Sequence, residues 1–232
     1  MSGGTPASGT LPESQVRAMF DRIARVYDRM NSIMTAGMHH RWRQRAAELT
    51  HVGADSRALD VATGTGDLAV ELARRGASVT GLDFSGRMLE LAEAKDPRIE
   101  WVQGNALDLG YADGEFDAVT VGFGARNFAD LDRGLAEMAR VAKPGGRVVV
   151  LEITSPDRPP LSWFFSLWFD RVIPALGRLA DSEAYTYLPS SVRRFPRAAE
   201  LGARMAAAGL DDVRWVLTAG GIIAIHSGTR RT

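Results

Sequence analysis

The chain has 232 residues, and its 28 basic and 28 acidic side chains give it a formal net charge of zero. This length suits one domain with a sizeable core, and the balanced charge lacks the basic surplus that marks nucleic-acid-binding proteins. The absence of cysteine excludes disulfides, thiol catalysis and zinc bound by cysteine.

Residues 1–14 are rich in Gly, Ser, Thr and Pro, and they contain neither a basic stretch nor an apolar run. They are predicted to form a disordered tail and not a signal peptide, which makes a cytoplasmic location the expectation. Residues 15–232 are predicted to form a single domain.

The first predicted element is a long amphipathic helix, because apolar residues recur there at steps of three and four. They are Val16, Met19, Phe20, Ile23, Val26, Tyr27, Met30, Ile33 and Met34. A second helix is expected from about His40 to Leu49. His39 and His40 are expected at its entrance and not in a metal site, because two adjacent histidines are too few ligands.

Five predicted strands then alternate with helical patterns, near 57–62, 78–83, 99–103, 115–122 and 146–153. This alternation predicts a parallel sheet with helices on both faces. Two further strands are expected at Val213 to Leu217 and Ile222 to His226, around a Gly220-Gly221 turn. The expected fold class is therefore α/β, with a mostly parallel, Rossmann-like sheet of seven strands and an N-terminal helical lead-in.

The most informative segment is LDVATGTGD, residues 59–67, in which an apolar strand ends at Asp60 and continues into a Gly64-Thr65-Gly66 turn. Asp67 then begins a predicted helix. Because glycine has no Cβ, a ligand can lie against the backbone of such a turn. Asp83 ends the next strand, where a carboxylate can bind a ribose through two charge-assisted hydrogen bonds. The pattern predicts a nucleoside-containing cofactor.

The identity of that cofactor depends on the acids around the turn. Residues 64–69 also satisfy the dinucleotide pattern G-x-G-x-x-G/A, which is weak evidence alone. Asp60 would repel a pyrophosphate, but it can reach the ammonium of S-adenosylmethionine (SAM) directly or through water. Asp67 stands at the helix N-terminus, where dinucleotide phosphates would bind. These acids favour SAM over NAD, and a helix cap without any ligand is the remaining alternative.

Asn105 and Ala106 follow the third strand in the segment Gln103 to Asp108. An Asn amide and a backbone N–H at this edge can bind the polar edge of an adenine, although an Asn-Gly-type turn is the simpler interpretation of this segment alone. Together with the acids at neighbouring strand ends, the adenine interpretation is favoured. Further along, Lys143-Pro144-Gly145-Gly146 is predicted to lead into the fifth strand, with a glycine ending the preceding helix.

Five blocks in the same order resemble the C-methyltransferases of ubiquinone and menaquinone biosynthesis. They are YDRMNSIMTAGMHHRWRQR (27–45), VGFGARNFAD (121–130), VAKPGGRVVVLE (141–152), EAYTYLPSSVRRFP (183–196) and LTAGGIIAIHSG (217–228). The resemblance implies the class I SAM-dependent methyltransferase fold and methylation of a ring carbon of a polyprenylated benzoquinol or naphthoquinol. In menaquinone biosynthesis, this reaction converts demethylmenaquinol to menaquinol.

The resemblance also implies roles for individual residues. The cofactor-binding positions are Gly64, Thr65, Gly66, Asp83, Asn105 and Ala106, with Gly122 contributing backbone only. Arg126 and Asn127 match a pair that faces the quinol head, and Tyr27 matches a pocket tyrosine. Phe195 stands where many relatives have a histidine, which leaves details of the substrate side open.

The chemistry of ring methylation suggests how these residues act. A ring carbon becomes nucleophilic when a neighbouring hydroxyl loses its proton, and Arg126 as a fixed cation would stabilise the resulting anion. The pKa of arginine is too high for a proton acceptor, so a water ordered by Asn127, Tyr27 or Asp181 is preferred. The simpler alternatives are that Arg126 forms a surface pair with Asp130, that Asn127 caps the next helix, and that Tyr27 only packs in the core.

Residues 155–196 are predicted to form a substrate-side insert that contains the aromatic run SWFFSLWF, 162–169. A bilayer-spanning helix needs about 20 apolar residues, so this run is too short. It is a candidate lid helix, the wall of a tunnel for a prenyl tail, or a peripheral contact with the inner face of the membrane. A homodimer is also compatible with the composition.

Other function classes remain open at this level. They are a SAM-dependent O- or N-methyltransferase acting on another small molecule, an NAD-dependent oxidoreductase, and a SAM-binding sensor without turnover. His226, in the last strand, is expected to be a hydrogen-bonded structural histidine.

Overall fold

The computed structural model describes residues 13–156 and 183–232. Most of the predicted N-terminal tail, the aromatic run 162–169 and Asp181 lie outside the described residues. Within the described ranges, no helix has both the length and the apolar character needed to cross a membrane.

A seven-stranded sheet forms the centre of the fold, with strand order β3-β2-β1-β4-β5-β7-β6. Strands β1 to β5 are parallel, and β7 runs antiparallel to both β5 and β6. The strands are β1 (Arg57–Val61), β2 (Ser78–Asp83), β3 (Glu100–Gln103), β4 (Phe116–Gly122), β5 (Ala142–Ile153), β6 (Leu210–Thr218) and β7 (Ile223–Arg230). The predicted mostly parallel, Rossmann-like sheet is confirmed.

Helices cover both faces of this sheet. The described helices are α1 (Glu13–Thr35), α2 (Met38–Leu49), α3 (Asp67–Ala73), α4 (Gly86–Lys95), α5 (Leu131–Val141), α6 (Glu183–Arg194) and α7 (Ala198–Ala207). Alternate residues of β5 enter different cores: Val148 and Val150 pack with α5 and α7, while Val149 and Leu151 pack with α2 and α3. Side chains of a strand alternate between faces, so both faces of the parallel sheet are buried.

The amphipathic lead-in forms α1 as predicted, but its apolar stripe does not remain buried to its end. Val16 and Met19 are 2% and 3% exposed, whereas Ile33 is 75% exposed. Ile33 continues the predicted apolar face but is exposed, because the last turn of α1 extends beyond the core before Gly37 reverses the chain into α2.

The glycines of Lys143 to Gly146 do not end helix α5, which corrects the sequence prediction. The helix ends at Val141 because Ala142 is already extended, with φ −70° and ψ 144°. Gly145 has φ +77° and lies in an irregular stretch of the β4–β5 pairing, between the pairs Phe116–Ala142 and Ala118–Arg147. A glycine is needed for this left-handed turn and not for the end of the helix.

Candidate active site

A cleft opens at the carboxyl ends of the parallel strands, where ligands bind in sheets of this type. It encloses about 890 Å³, part of which is open to solvent. Seven of the nine predicted site residues line it: Tyr27, Gly64, Thr65, Asp83, Asn105, Ala106 and Asn127. The cleft therefore brings the predicted cofactor and substrate residues together, while Gly66 and Arg126 lie outside its wall.

The glycine turn is fixed by backbone geometry and by one carboxylate. Gly64 has φ +57°, and its N–H donates to Asp83 Oδ2 at 2.8 Å. Gly66 has φ +81° at the start of α3, and a Cβ there would lie 2.4 Å from the ring of Trp101. Gly66 is thus required by the turn and by packing, whereas Gly64 faces the cleft.

Asp83 is almost fully buried at the end of β2. Besides the Gly64 N–H, it accepts the Ser85 N–H at 2.9 Å through its other oxygen. Burial raises the pKa of Asp83 to about 6, although these hydrogen bonds oppose the shift. Each carboxylate oxygen retains a lone pair, so Asp83 can still accept both hydroxyls of a ribose.

Asp60 lies at the end of β1 and is held by two hydroxyl groups. Thr63 donates to its Oδ2 and Thr120 to its Oδ1, both at 2.6 Å. Burial raises the pKa of Asp60 to about 6. As a buried acid in the wall of the cleft, Asp60 suits a cationic ligand group and disfavours a phosphate.

Asn105 and Ala106 line the cleft. The Asn105 side-chain carbonyl accepts the Leu107 N–H at 2.9 Å, so the expected turn is present. This bond uses the carbonyl oxygen and leaves the amide NH₂ to donate to a ligand. The turn and adenine interpretations are therefore compatible.

Thr65 is buried, and its hydroxyl contacts the lead-in helix as well as the cleft. It donates to Asp28 Oδ1 of α1 at 2.6 Å, and Lys95 Nζ lies 3.0 Å from Asp28 Oδ2. Lys95 also lies 2.5 Å from Asp67 Oδ1. These polar contacts hold α1 against the glycine turn.

Arg43 is a buried cation in the wall of the cleft that the sequence interpretation missed. Its Nη1 donates to His39 Nδ1 at 2.6 Å, and its guanidinium lies 5.3 Å from the centre of the Phe123 ring. Burial and the nearby Arg43 charge lower the pKa of His39 to about 4, so the imidazole is neutral and can accept this bond. A detectable signal was present: Arg43 shares the buried face of α2 with His39, four residues earlier.

His39, His40 and Asp67 form a group whose potential ligand atoms lie within 4.8 Å of one another. However, Asp67 already has Lys95 at 2.5 Å and Arg43 at 3.6 Å. Burial would raise the pKa of Asp67, but these two cations more than offset it and lower the pKa. An added metal cation would be repelled by both side chains, so this cluster does not suit a metal.

Arg126 is buried, with 9% of its side chain exposed, and it pairs with Glu152. Its Nη1 lies 2.7 Å from Glu152 Oε1 and also donates to the Phe123 carbonyl. Burial opposes its charge, but Glu152 outweighs this and raises the pKa of Arg126. The alternative of a surface pair with Asp130 is wrong. Glu152 was missed, although an acid ending an apolar strand is the same signal that identified Asp60.

Asn127 does not cap the following helix, because Asp130 accepts the Arg133 N–H at 3.0 Å and starts α5. Asn127 Oδ1 is buried and has no hydrogen-bond partner among the described residues. A buried, unpaired acceptor in a cleft suits a ligand hydroxyl. Tyr27 lines the same cleft and packs edge-on against Phe20, so packing and pocket roles coincide.

Two residues named in the sequence have structural roles. His226 is fully buried, and its Nε2 lies 2.8 Å from the Ala198 carbonyl, which confirms a hydrogen-bonded histidine. Phe195 packs against the core formed with α5 and α7 and lies outside the cleft wall.

The polar groups of the cleft together fit an adenosyl cofactor that carries an amino-acid tail. Asp83 suits the ribose, Asn105 suits the adenine, and Asp60 suits an ammonium. Asp60 and Asp67 stand where a dinucleotide would place its phosphates, which disfavours NAD.

Comparison with known proteins agrees with this geometry. The ubiE/COQ5 methyltransferase family matches residues 9–230. A demethylmenaquinone methyltransferase of Thermus thermophilus is 46% identical over 91% of this chain and 100% of its own length. A demethylmenaquinone methyltransferase of Mycolicibacterium vanbaalenii is 42% identical over 93% of this chain and 95% of its own length.

Solved structures show the fold at lower identity. The [4+2]-cyclase SpnF matches with a TM-score of 0.72 and 20% identity over the whole of both chains. A SAM-dependent methyltransferase from Thermotoga maritima matches with a TM-score of 0.67 and 19% identity, covering 92% of this chain and 99% of its own.

Proposed function

The chain belongs to the ubiE/COQ5 methyltransferase family and is a SAM-dependent methyltransferase, and on this premise we propose that it methylates a ring carbon of a polyprenylated naphthoquinol. The product of the proposed reaction, from demethylmenaquinol, is menaquinol. Relatives at 40–46% identity that are named demethylmenaquinone methyltransferase support this substrate. The observation that carries the proposal is that Asn127 and Tyr27 line the same cleft as Gly64 and Asp83.

Asp83, Asn105, Ala106 and the Gly64-Thr65 backbone would hold SAM, which supplies an electrophilic methyl group when bound. The protein must then position a ring carbon and favour loss of the neighbouring hydroxyl proton. Asn127 Oδ1, unpaired among the described residues, is an acceptor for that hydroxyl, and Tyr27 lines the same cleft. A water ordered by Asn127 or Tyr27 takes the proton.

Arg126, next to Asn127 in the chain but outside the cleft wall, is proposed to stabilise the developing anion through its charge. Its charge is largely compensated by Glu152, which keeps a buried guanidinium tolerable before substrate binds. After methyl transfer, water takes the proton from the methylated ring carbon, the C–H electron pair restores aromaticity, and the ring oxygen regains a proton from solvent. Arg126 therefore acts on charge in the ring and not as a base.

The substrate-side wall is proposed to come from α1 and from the insert 155–196. Its described part, α6, contacts α1 and the turn Ala125–Asn127. Tyr187 of α6 lies close enough to Arg126 to contribute to its raised pKa. These contacts support α6 as one wall of the quinol side.

Mass spectrometry of methyl transfer from labelled SAM tests the function. The substrates are a reduced, short-tailed demethylmenaquinol and a demethoxy-benzoquinol analogue. We expect label on the naphthoquinol ring carbon. Label on the benzoquinol alone, or on an oxygen, contradicts the proposal.

Peripheral contact with the inner face of the membrane is the proposed way to reach a lipid-tailed substrate from the cytoplasm. Ile33 and Met38, at the corner between α1 and α2, are 75% and 45% exposed. The exposed Arg29 and Arg41 lie on the same two helices and suit an anionic lipid surface. When the protein is sedimented with anionic vesicles, we expect the parent protein in the pellet and the I33S/M38S variant in the supernatant.

A homodimer is proposed through the edge of the sheet. Strand β6 is the last strand in the sheet order, and Trp215, Val216 and Leu217 on it are 41–49% exposed. An exposed apolar edge strand is a surface on which a second copy can pair. Light scattering should give twice the monomer mass, and a W215E/L217E variant should give the monomer.

A further inference from the structure

A buried positive charge faces the same end of the cleft as Asp60. Arg43 is 6% exposed, lies in the cleft wall and is close enough to Asp60 to lower the pKa of that carboxyl. Asp67 lines the same cleft, but it is already paired with Lys95 at 2.5 Å. A guanidinium beside the Asp60 carboxylate suits a ligand group that carries both charges.

The guanidinium has unused hydrogen-bonding capacity. Among the described residues, the hydrogen bonds of Arg43 use only Nη1, to His39 Nδ1 and to the His39 carbonyl. Its Nη2 lies 3.6 Å from Asp67 Oδ2, which is longer than a hydrogen bond. Nη2 and Nε therefore retain N–H groups in the fork geometry that binds a carboxylate.

Arg43 shares the neutralisation of Asp67 with Lys95, but Lys95 is the cation within hydrogen-bonding distance of that carboxylate, at 2.5 Å. The orientation of Arg43 is fixed by the neutral imidazole of His39, whose Nε2 lies 3.2 Å from the Ser32 hydroxyl of α1. The Phe123 ring packs against the flat face of the Arg43 guanidinium. A buried cation held on two sides, with Nη2 and Nε unused among the described residues, is pre-organised for an anionic ligand.

We infer that Arg43 binds the carboxylate of the methionine part of SAM, while Asp60 holds the ammonium of the same zwitterion. The inference rests on the SAM dependence stated in the proposed function and not on the identity of the quinol. It makes α2 a part of the cofactor site and gives the Ser32–His39–Arg43 series a positioning role.

Calorimetric binding of three ligands to the full chain tests this inference without turnover. S-adenosylhomocysteine contains the carboxylate, its decarboxylated analogue lacks only that group, and 5′-methylthioadenosine lacks the whole amino-acid part. The unsubstituted protein should bind S-adenosylhomocysteine about 10- to 100-fold more tightly than the decarboxylated analogue, as expected for a lost charged hydrogen-bonded pair. Equal affinities overturn the inference before any variant is made.

Arg43→Met keeps the apolar stem and removes the charge. We expect this variant to bind S-adenosylhomocysteine about 10- to 100-fold more weakly than the parent protein does. Its affinity for 5′-methylthioadenosine should stay within about 3-fold of the parent value. The preference for the carboxylated ligand should disappear. Arg45→Met on the same helix, where Arg45 is exposed and paired with Glu48, is the matched control and should change neither affinity.

Arg43→Lys keeps the charge without the fork and should retain only part of the preference, which provides a second variant if Arg43→Met does not fold. Equal weakening of all three ligands in a folded Arg43 variant would mean that Arg43 only supports the structure. Failure of quinol methylation with an intact carboxylate preference would contradict the proposed substrate and leave this inference standing.

Discussion

The Arg126–Glu152 pair is buried on both sides, with side-chain exposures of 9% and 1%. Charges removed from water are tolerated because each satisfies the other, and Glu152 also accepts the Arg126 backbone N–H at 3.2 Å. Removing one partner leaves an uncompensated charge, whereas removing both leaves none. The pair should therefore behave as one unit in stability as well as in catalysis.

Glu152→Gln should lower the free energy of unfolding by about 3 kcal/mol, because it leaves the Arg126 guanidinium without its counter-charge. Adding Arg126→Met should recover most of that loss, and urea unfolding of the two single variants and the double variant measures the coupling. Glu48→Gln, in an exposed pair with Arg45, is the control and should change little. Additive losses in the cycle would contradict a coupled pair.

Asn127 carries an unpaired buried acceptor, which costs folding free energy unless a ligand uses it. Asn127→Ala should therefore leave thermal stability unchanged or raised, while kcat/KM for the quinol falls about 10- to 100-fold. Differential scanning fluorimetry and steady-state kinetics measure the two effects. A loss of stability that parallels the loss of activity would assign Asn127 to the scaffold instead.

Individual site residues could be predicted where a single local sequence pattern indicated their role. Asp60 and Asp83 each end an apolar strand beside a glycine turn, and both lie in the cleft. Arg43 shares a helix face with His39, a signal that the sequence interpretation did not use, but its contact with Phe123, which is distant in the chain, gave no pattern. Glu152 had the local signal, but its partner Arg126 lies 26 residues away and gave no pattern.

Among the helices and strands, α1 shows which features apolar periodicity can predict and which it cannot. Steps of three and four predicted the helix, and the observed bounds are Glu13–Thr35. Its polar anchors were not predicted, because Asp21 accepts from Ser85 and Asp28 accepts from Thr65, which are 64 and 37 residues away. Asp21 and Asp28 are two helical turns apart and so share one face, but only the folded sheet brings their partners to it.

Asp28→Asn should loosen α1 without unfolding the sheet, since it weakens the contacts to Lys95 and Thr65. We expect amide hydrogen exchange in residues 13–35 to become about 10-fold faster, which corresponds to about 1.4 kcal/mol of local stability, while β1 and β4 remain protected. Glu90→Gln, at an exposed position of α4, is the matched control. Uniform acceleration across the chain would show that α1 does not open separately.

The strands were well predicted because parallel strands buried on both faces are continuous apolar runs. The irregular ends of the strands were not predicted. Residues Lys143 to Gly146 carry a glycine signal that suits the end of a helix, a hairpin or a bulge equally. Only the partner strand decides, since Asp117 lies opposite the irregular stretch and its carboxylate binds Lys143 at 2.8 Å.

Across the whole molecule, buried titratable groups oppose one another in their effect on stability between pH 4 and pH 6. Asp60 and Asp83 have pKa values raised to about 6 in the folded state, so they bind protons that the unfolded chain has lost. Their contribution is present at low pH and is lost as the pH rises through about 6. His39 has its pKa lowered to about 4, so its contribution is present at higher pH and is lost as the pH falls toward 4.

Removing one carboxylate should therefore reveal the histidine effect. In Asp83→Asn, the free energy of unfolding should rise with pH between about 4 and 6 by about 2 kcal/mol more than in the parent protein, because the opposing carboxylate is gone. His39→Gln should do the reverse and make stability fall over the same interval. Urea unfolding at several pH values, compared by slope and not by absolute level, separates these effects from lost hydrogen bonds. If the plots of unfolding free energy against pH are parallel for all three proteins, the raised pKa of Asp83 is contradicted. The idea that burying this carboxylate for a ribose destabilises the fold would then be contradicted as well.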